Sequence, residues 1–386
     1  MSPALGILGY DSFHFIVADL DRSRRFYRAL AFTEVARASE QKRRAGGEDS
    51  AVFGAGQIRL LVSSPTRPDS RAARWLRIHP DGISSLAFRV RDVRAAWAFL
   101  EARGATFLTD VAVHETEHGA FRTFSIATPL DDVTFRFIER SPGYGLFALD
   151  FEPVGDGLPR ANLHGFATID HVTSNTYTML PVVNWYRDVL GFEPYWHVEF
   201  HTAEVDGGRR LTGSGLKSIV MADPESGVKL ATNEPMRPFF RESQINRFCE
   251  EHHGAGIQHI AFLVEKILPA VEALRGKGIA FLPAPTVYYD RLPERLAANR
   301  ITNLREPLAA LRAQEVLVDG HDDRYMLQIF LQDAHHLYGD DAAGPFFYEI
   351  IQREGDKGFG YGNFRALFES IEESQRHSDR SLEVVG

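Results

Sequence analysis

The order of apolar and polar segments in this chain occurs twice, and that repetition constrains the fold more than any single motif. Gly82-Ile-Ser-Ser-Leu-Ala-Phe-Arg-Val90 has a counterpart in Gly256-Ile-Gln-His-Ile-Ala-Phe-Leu-Val264. Arg24-Arg-Phe-Tyr-Arg-Ala-Leu-Ala-Phe32 matches Val183-Asn-Trp-Tyr-Arg-Asp-Val-Leu-Gly-Phe192 with one residue of slack, and Phe135-Arg-Phe-Ile-Glu-Arg140 matches Tyr348-Glu-Ile-Ile-Gln-Arg353. Three matches in the same order mark a duplication. A period of roughly 150 residues is a duplicated domain rather than a solenoid.

Apolar periodicity and turn residues set the elements within each copy. In the first, Ser12–Ala18 reads as a strand and Leu20–Leu30 as a helix with Phe26 and Tyr27 facing inward. Ala51–Ser63 reads as a hairpin, Gly82–Val90 as a strand, and Val93–Arg103 as a helix closed by Gly104. Strands at Thr123–Thr128 and Val133–Glu139 complete it, and Ser141–Asn162, rich in Gly, Pro and Asp, reads as a connector. The order then restarts: strand His171–Ser174, helix Leu180–Leu190, hairpin strands to Thr232, strand Gly256–Val264, helix Leu268–Lys277, strands Tyr325–Leu331 and Phe346–Gln352.

Three polar residues stand out in the second copy. His259 interrupts a buried-type strand after the glycine-lined entry Gly254-Ala-Gly256, His171 lies at a strand start, and Glu349 sits among apolar and aromatic neighbours. A lone histidine in an apolar run is more often a hydrogen-bonded core residue than a ligand. A carboxylate in such a run is costly to bury unless it is paired or binds a metal. Two histidines and one carboxylate are also the facial set that holds Fe(II) with open positions. The set forms only if the fold brings three strands together. The first copy serves as an internal control: Ser85 stands at the place of His259, Arg136 at that of Glu349, and Ser12 near that of His171, with His14 two residues further on. The framework is duplicated; the ligands are not.

Composition excludes several function classes. A net charge of −9 and a pI near 5.9 argue against a general nucleic-acid or anionic-membrane binder. No stretch approaches the roughly 18 consecutive apolar residues of a membrane span. The opening Met-Ser-Pro-Ala-Leu-Gly lacks the character of an export signal, and Cys249, the single cysteine, permits no internal disulfide, so a cytoplasmic location is expected. Cys249 reads as a packing residue, and His252-His253 and His335-His336 read as surface pairs in polar segments.

With these motifs assembled, the chain resembles the 4-hydroxyphenylpyruvate dioxygenase family of the vicinal-oxygen-chelate fold, which also includes hydroxymandelate synthase. The resemblance is carried by IDHV at 169–172, GAGIQHIAF at 254–262, MLQIF at 326–330, FFYEIIQR at 346–353 and GFGYGNFRALFESIE at 358–372, with a looser match at HPDGISSLAFRVRDV, 79–93. It implies an α+β fold of two vicinal-oxygen-chelate domains, each an open β-barrel of paired βαβββ modules. Residues 1–150 would form the domain without metal ligands. Residues 163–386 would form the catalytic domain, ending in a lid helix at Asn363–Ser374. The resemblance puts Fe(II) on His171, His259 and Glu349, with a small-molecule 2-oxo acid and O2 as substrates and homogentisate as product. 4-Hydroxymandelate, or the product of another 2-oxo acid, is the alternative outcome.

It further implies a polar wall of Gln244, Gln258, Gln328, Asn233 and Ser214, and a substrate surface of Phe330, Phe359, Phe364, Asn363, Leu367 and Ala231. Neutral amides and a hydroxyl can bond a phenol or an acid without adding charge beside the metal. Assembly as a homo-oligomer, dimer or tetramer, with no nucleic-acid or membrane partner, belongs to the same expectation. The sequence departs from the family pattern at Ala231, where proline is usual, and at Tyr361, where a charged residue is common. Phe364 favours homogentisate, because the mandelate-forming branch typically carries an aliphatic residue there.

Overall fold

A computed structural model of the chain describes residues 4–363 apart from 118, 160, 161, 163, 202, 203, 207–209, 213, 214 and 237–242. The first half contains strands β1 (Ile7–Ile16), β2 (Thr33–Ala38), β3 (Glu48–Ala55), β4 (Ile58–Pro65), β5 (Gly82–Val90), β6 (Phe107–Thr116), β7 (Gly119–Ala127), β8 (Thr134–Arg140) and β9 (Phe151–Pro153). The second contains β10 (Phe166–Asn175), β11 (Glu193–His201), β12 (Glu204–Asp206), β13 (Arg210–Thr212), β14 (Gly215–Ala222), β15 (Lys229–Pro235), β16 (Gly256–Val264), β17 (Leu317–His321), β18 (Arg324–Phe330) and β19 (Phe347–Glu354). Helices that matter below are α1 (Leu20–Ala29), α2 (Glu40–Gly46), α3 (Arg71–Trp75), α4 (Val93–Glu101), α5 (Leu180–Trp185), α6 (Gln244–Glu251), α7 (Ile267–Arg275) and α8 (Thr286–Asp290).

Each half forms one large curled sheet, in the order β6-β7-β8-β5-β1-β4-β3-β2-β9 and β11-β14-β15-β10-β16-β19-β18-β17, and β12 pairs with β13 in a separate two-stranded sheet. Each sheet is two βαβββ modules joined by an antiparallel seam, β1 on β5 and β10 on β16. Within every module the first strand pairs in parallel with the last: β1 with β4, β5 with β8, β10 with β15, β16 with β19. This is the vicinal-oxygen-chelate architecture.

Local chemistry explains the helix starts. The Asp19 carboxylate accepts from Arg22 N at 2.9 Å ahead of α1, and Asp92 accepts from Arg94 N and Ala95 N ahead of α4, so orphan amides of the first turn are satisfied. Ser243 Oγ accepts from Ile245 N at α6. Strands β5 and β16 are buried along almost their whole length, with one face toward helices and the other toward the sheet's concave interior. A single apolar core links the halves: Phe32 packs on Phe166 at 5.4 Å and on Phe262 at 5.5 Å between ring centroids. The hydroxyls of Tyr27 and Tyr348, one from each half, lie 2.6 Å apart inside it.

Several expectations need correction. The connector holds strand β9, which pairs with β2 and so belongs to the first sheet. Strands β2 and β6 lie where no strand was read, and β6 is mostly exposed, so it has no clear apolar alternation. The helix from Leu180 turns π-helical over Tyr186–Leu190 before Gly191, at φ 75°, ends it. His252 is not a surface residue: it is buried at the junction of the halves, its ring 4.8 Å from that of His79. Cys249 is fully buried, and burial pushes its thiol up to about 12, so it is an inert packing group. No described helix is long and apolar enough to cross a membrane.

Candidate metal centre

Strands β10, β16 and β19 lie side by side in the second sheet, and each supplies one side chain to its interior. His171 pairs with Ala261, Ala261 with Glu349, and His259 with Thr173 and Phe347. That register places His171, His259 and Glu349 with candidate ligand atoms all within 4.8 Å of one another. His171 Nε2 is 3.2 Å and His259 Nε2 3.6 Å from Glu349 Oε2. All three side chains are buried.

The surroundings fix these groups. Asp170 is the extra residue of a β-bulge, since Ile169 pairs with Phe262 and His171 with Ala261. The bulge brings two sequence neighbours together: Asp170 Oδ1 lies 2.8 Å from His171 Nδ1, leaving Nε2 to face the centre. Arg353 donates to the same carboxylate through Nε and Nη2. Burial alone would raise the Asp170 carboxyl, but Arg353 and His171 outweigh it and hold it far below the usual carboxylate range. For His171, burial favours the neutral ring, but Glu349 and Asp170 raise its affinity for a proton above the ordinary. His259 has no such support: burial, and then the neighbouring His171, hold it well down, as neutral imidazole. A neutral ring is the metal-binding form.

Behind Glu349 runs a hydrogen-bond chain. Gln328 Nε2 donates to Glu349 Oε1 at 3.1 Å, Asn363 Nδ2 to Gln328 Oε1 at 2.9 Å, and Tyr288 Oη on α8 to Asn363 Oδ1 at 2.7 Å. Gly360, at φ 74°, carries no side chain because a Cβ there would lie 2.0 Å from Gln328 Oε1.

The three residues open onto a cavity of about 600 Å³. Of the residues named from sequence, Gln244, Gln258, Gln328, Asn233, Ala231, Phe330, Phe359 and Asn363 line it. Gln258 Oε1 is 3.2 Å from His259 Nδ1, and Asn233 Nδ2 donates to Asn175 Oδ1 at 3.0 Å. Phe359 sits edge-on to His171 at 4.8 Å, and Phe330 is 6.3 Å from His259. Ser214, Phe364, Leu367 and the expected lid helix lie outside the described residues.

Sequence reasoning missed Asp170 and Arg353, the stacking of Phe347 on His259 at 4.9 Å, and the wall residues Trp196 and Ser218. A signal for the first two was present. The first half holds the same bulge at Asp11, between Tyr10 and Ser12, and Asp11 pairs with Arg140, the counterpart of Arg353. An Asp and an Arg repeated at matching places in both halves identify a pair belonging to the framework.

The sequence matches the family described as the Glyoxalase/Bleomycin resistance protein/Dioxygenase superfamily over residues 9–137 and 168–292. It is 36% identical over 324 residues to a 4-hydroxyphenylpyruvate dioxygenase of Dictyostelium discoideum, covering 82% of this chain and 84% of that one. To the protein of the same name from Coccidioides posadasii it is 32% identical over 391 residues, covering 95% and 93%. Among solved structures, a triple mutant of 4-hydroxymandelate synthase from Streptomyces coelicolor superposes with a TM-score of 0.78 at 26% identity, covering 96% of this chain and 99% of that one.

Proposed function

The chain belongs to the 4-hydroxyphenylpyruvate dioxygenase family, and from that premise we propose that it converts 4-hydroxyphenylpyruvate and O2 to homogentisate and CO2 at an Fe(II) held by His171, His259 and Glu349. The observation that carries the proposal is the convergence of those three buried side chains, with ligand atoms within 4.8 Å, on one cavity. The donor set fits the ion. Two imidazole nitrogens and one carboxylate oxygen suit Fe(II) and leave neighbouring positions free for a substrate. When bound, Fe(II) supplies the redox chemistry that activates O2 and the open positions that a 2-oxo acid's carboxylate and keto oxygens can occupy.

The protein's residues do the rest. Asp170 fixes the His171 ring and Gln328 fixes Glu349, so the donor atoms are aimed before any ligand arrives. Gln244, Gln258 and Asn233 present neutral amides that can bond the phenol or the acid without adding charge. Phe330, Phe347 and Phe359 give the aromatic ring apolar surfaces and keep water from the reacting carbons. Overall, the carboxyl carbon leaves as CO2, one atom of O2 enters the new carboxylate and the other enters the ring.

The first half, residues 1–150 in this reading, supports the catalytic half, 163–386. The single cysteine accords with a cytoplasmic location. Assembly as a dimer or tetramer belongs to the same reading, and light scattering of the purified chain tests it. One observation favours a second product: the fold similarity to a 4-hydroxymandelate synthase variant. The deciding experiment is oxygen-free reconstitution with Fe(II), addition of 4-hydroxyphenylpyruvate and air, and chromatography against homogentisate and 4-hydroxymandelate. Homogentisate as the main product supports the proposal. 4-Hydroxymandelate alone, or untouched substrate, overturns it.

A further inference from the structure

The concave interior of the first half is not filled in. It holds an open cavity of about 1640 Å³, counting its mouth, against about 600 Å³ for the metal pocket. Strand register relates the two interiors residue by residue. Ser12 pairs with Ala87 as His171 pairs with Ala261, and His14 with Ser85 as Thr173 with His259. Ala87 pairs with Arg136 as Ala261 pairs with Glu349. Where the second half places two imidazoles and a carboxylate, the first places two hydroxyls and a guanidinium. The sign of the site is reversed.

The cavity lining carries six cationic side chains and two carboxylates in a protein whose net charge is −9. Asp69 pairs with Arg67, while Glu48 Oε1 accepts from Ala72 N at 2.7 Å and its charge partly offsets those of Lys42 and Arg71. Arg140 is held by Asp11. Among the described residues, Lys42, Arg71 and Arg136 form no ion pair. Arg136 donates only a long hydrogen bond, 3.5 Å from Nε to Ser125 Oγ. Lys42 lies over the Phe151 ring at 5.2 Å, and Arg71 at the mouth reaches His14 Nδ1 at 3.4 Å. Burial and then the nearby Arg71 lower the proton affinity of Arg136, opposed in part by Asp11, which Arg140 already holds. Thr123 Oγ1, also in the lining, is buried with no hydrogen-bond partner. A buried hydroxyl without a partner is unusual in a folded protein, and here it sits beside three half-buried or exposed cations that face the same space.

The geometry points to a second ligand site in the first half-barrel, for a small organic anion whose oxyanion head, a carboxylate or phosphate, is held by Arg136, Lys42 and Arg71. Guanidinium groups match the planar geometry of carboxylate and phosphate oxygens and form charge-assisted hydrogen bonds with them. Ser85 and Thr123 add hydroxyl donors, and burial with the nearby Arg71 keeps His14 neutral, so it adds no charge of its own. The body of the ligand has apolar surface available at Leu61, Ile138 and Phe121. The site lies on a different sheet from the metal centre and uses none of its residues.

The test uses the iron-loaded full chain without oxygen and three fluorinated probes: 4-fluorophenylacetate, 4-fluorobenzyl phosphate and the neutral 4-fluorophenylacetamide. Paramagnetic iron broadens the fluorine signal of a probe in the metal pocket, so a sharp bound signal reports the first half. Both anions should give that signal and the amide should not. Arg136→Met should weaken the sharp-signal binding at least tenfold and leave the broadened signal in place. It should also melt no lower than the wild type in the absence of probe, since it removes an unpaired cation. If Arg136→Met does not fold, Lys42→Met and Arg71→Met nearer the surface should each weaken the same signal. Whichever anion binds more tightly identifies the head group. The proposal is overturned if neither anion gives a sharp bound signal, if the amide gives it equally, or if it survives unchanged in the folded variants.

Discussion

Arg353 grips Asp170 through two hydrogen bonds, Nε to Oδ2 at 2.6 Å and Nη2 to Oδ1 at 2.7 Å, and Asp170 in turn fixes His171. Neither residue faces the cavity, yet together they set the ring orientation of a candidate ligand. Asp170→Asn keeps the shape and removes the charge. It should lower Fe(II) affinity by about 10–100-fold, the usual effect of losing such an outer partner. Equilibrium dialysis checks this, and circular dichroism shows whether the fold persists. Arg353→Lys, which loses the planar fork, should act in the same direction with a smaller effect.

Glu349→Ala should abolish iron binding and turnover together, with metal analysis falling from one iron per chain to none. Glu349 accepts from Gln328 and faces His171, so its removal leaves buried partners unsatisfied and should lower the melting temperature of the metal-free protein, with circular dichroism showing that the variant still folds. An active Glu349→Ala protein, or two irons in the wild type, would sink the ligand assignment.

Phe359 lies against His171 at 4.8 Å and Trp196 at 5.5 Å, closing one side of the cavity. Phe359→Ala should leave iron bound but admit water, so that CO2 is released without matching ring oxidation. Comparing O2 consumed with homogentisate formed measures this coupling. A ratio equal to that of the wild type would argue against a sealing role.

At the junction of the halves, burial and then the neighbouring His79 lower His252 to about 4; His253 acts in the same direction, opposed by the Gly254 carbonyl and Asp132. In the unfolded chain the ring titrates near the ordinary value of about 6.5. Between those values the unfolded state binds the extra proton, so stability falls as pH drops from about 6.5 to about 4, by roughly 1.4 kcal/mol per pH unit at most. His252→Phe should retain the packing on Phe248 and Trp75 and reduce this acid-side loss by about 2 kcal/mol. Urea unfolding of both proteins at pH 7 and 4.5 reads the difference.

Tyr27→Phe leaves the Tyr348 hydroxyl buried without its partner and should cost about 1–2 kcal/mol. The double change Tyr27→Phe with Tyr348→Phe should cost less than the sum of the two single changes. Chemical denaturation of the three variants closes the cycle.

The strand that carries His259 could be read because it is a short apolar run broken by the single polar pair Gln258-His259, and its observed bounds, Gly256–Val264, are those expected. Strand β6 could not, because its side chains are mostly exposed and its partner β7 alone dictates its conformation. Asp170 escaped for a different reason. Regular alternation sends adjacent strand residues to opposite faces, and only a bulge lets Asp170 serve His171. The burial of His252 was equally hidden, because its cover comes from Trp75 and His79, residues more than a hundred positions away. Phe347 gave no signal beyond that of an ordinary core phenylalanine.

The core shared between the halves determines where each half is free to change. On β1, Phe13 and Phe15 enter that core while Ser12 and His14 face the first cavity; on β10, Val172 enters it while His171 and Thr173 face the second. A substitution on the core side is felt by both halves at once, so neither could have been discarded or rebuilt alone after the duplication. A substitution on the concave side disturbs only one interior. Two copies of one framework could therefore drift apart in their chemistry, residue by residue along alternate positions, while remaining a single folding unit.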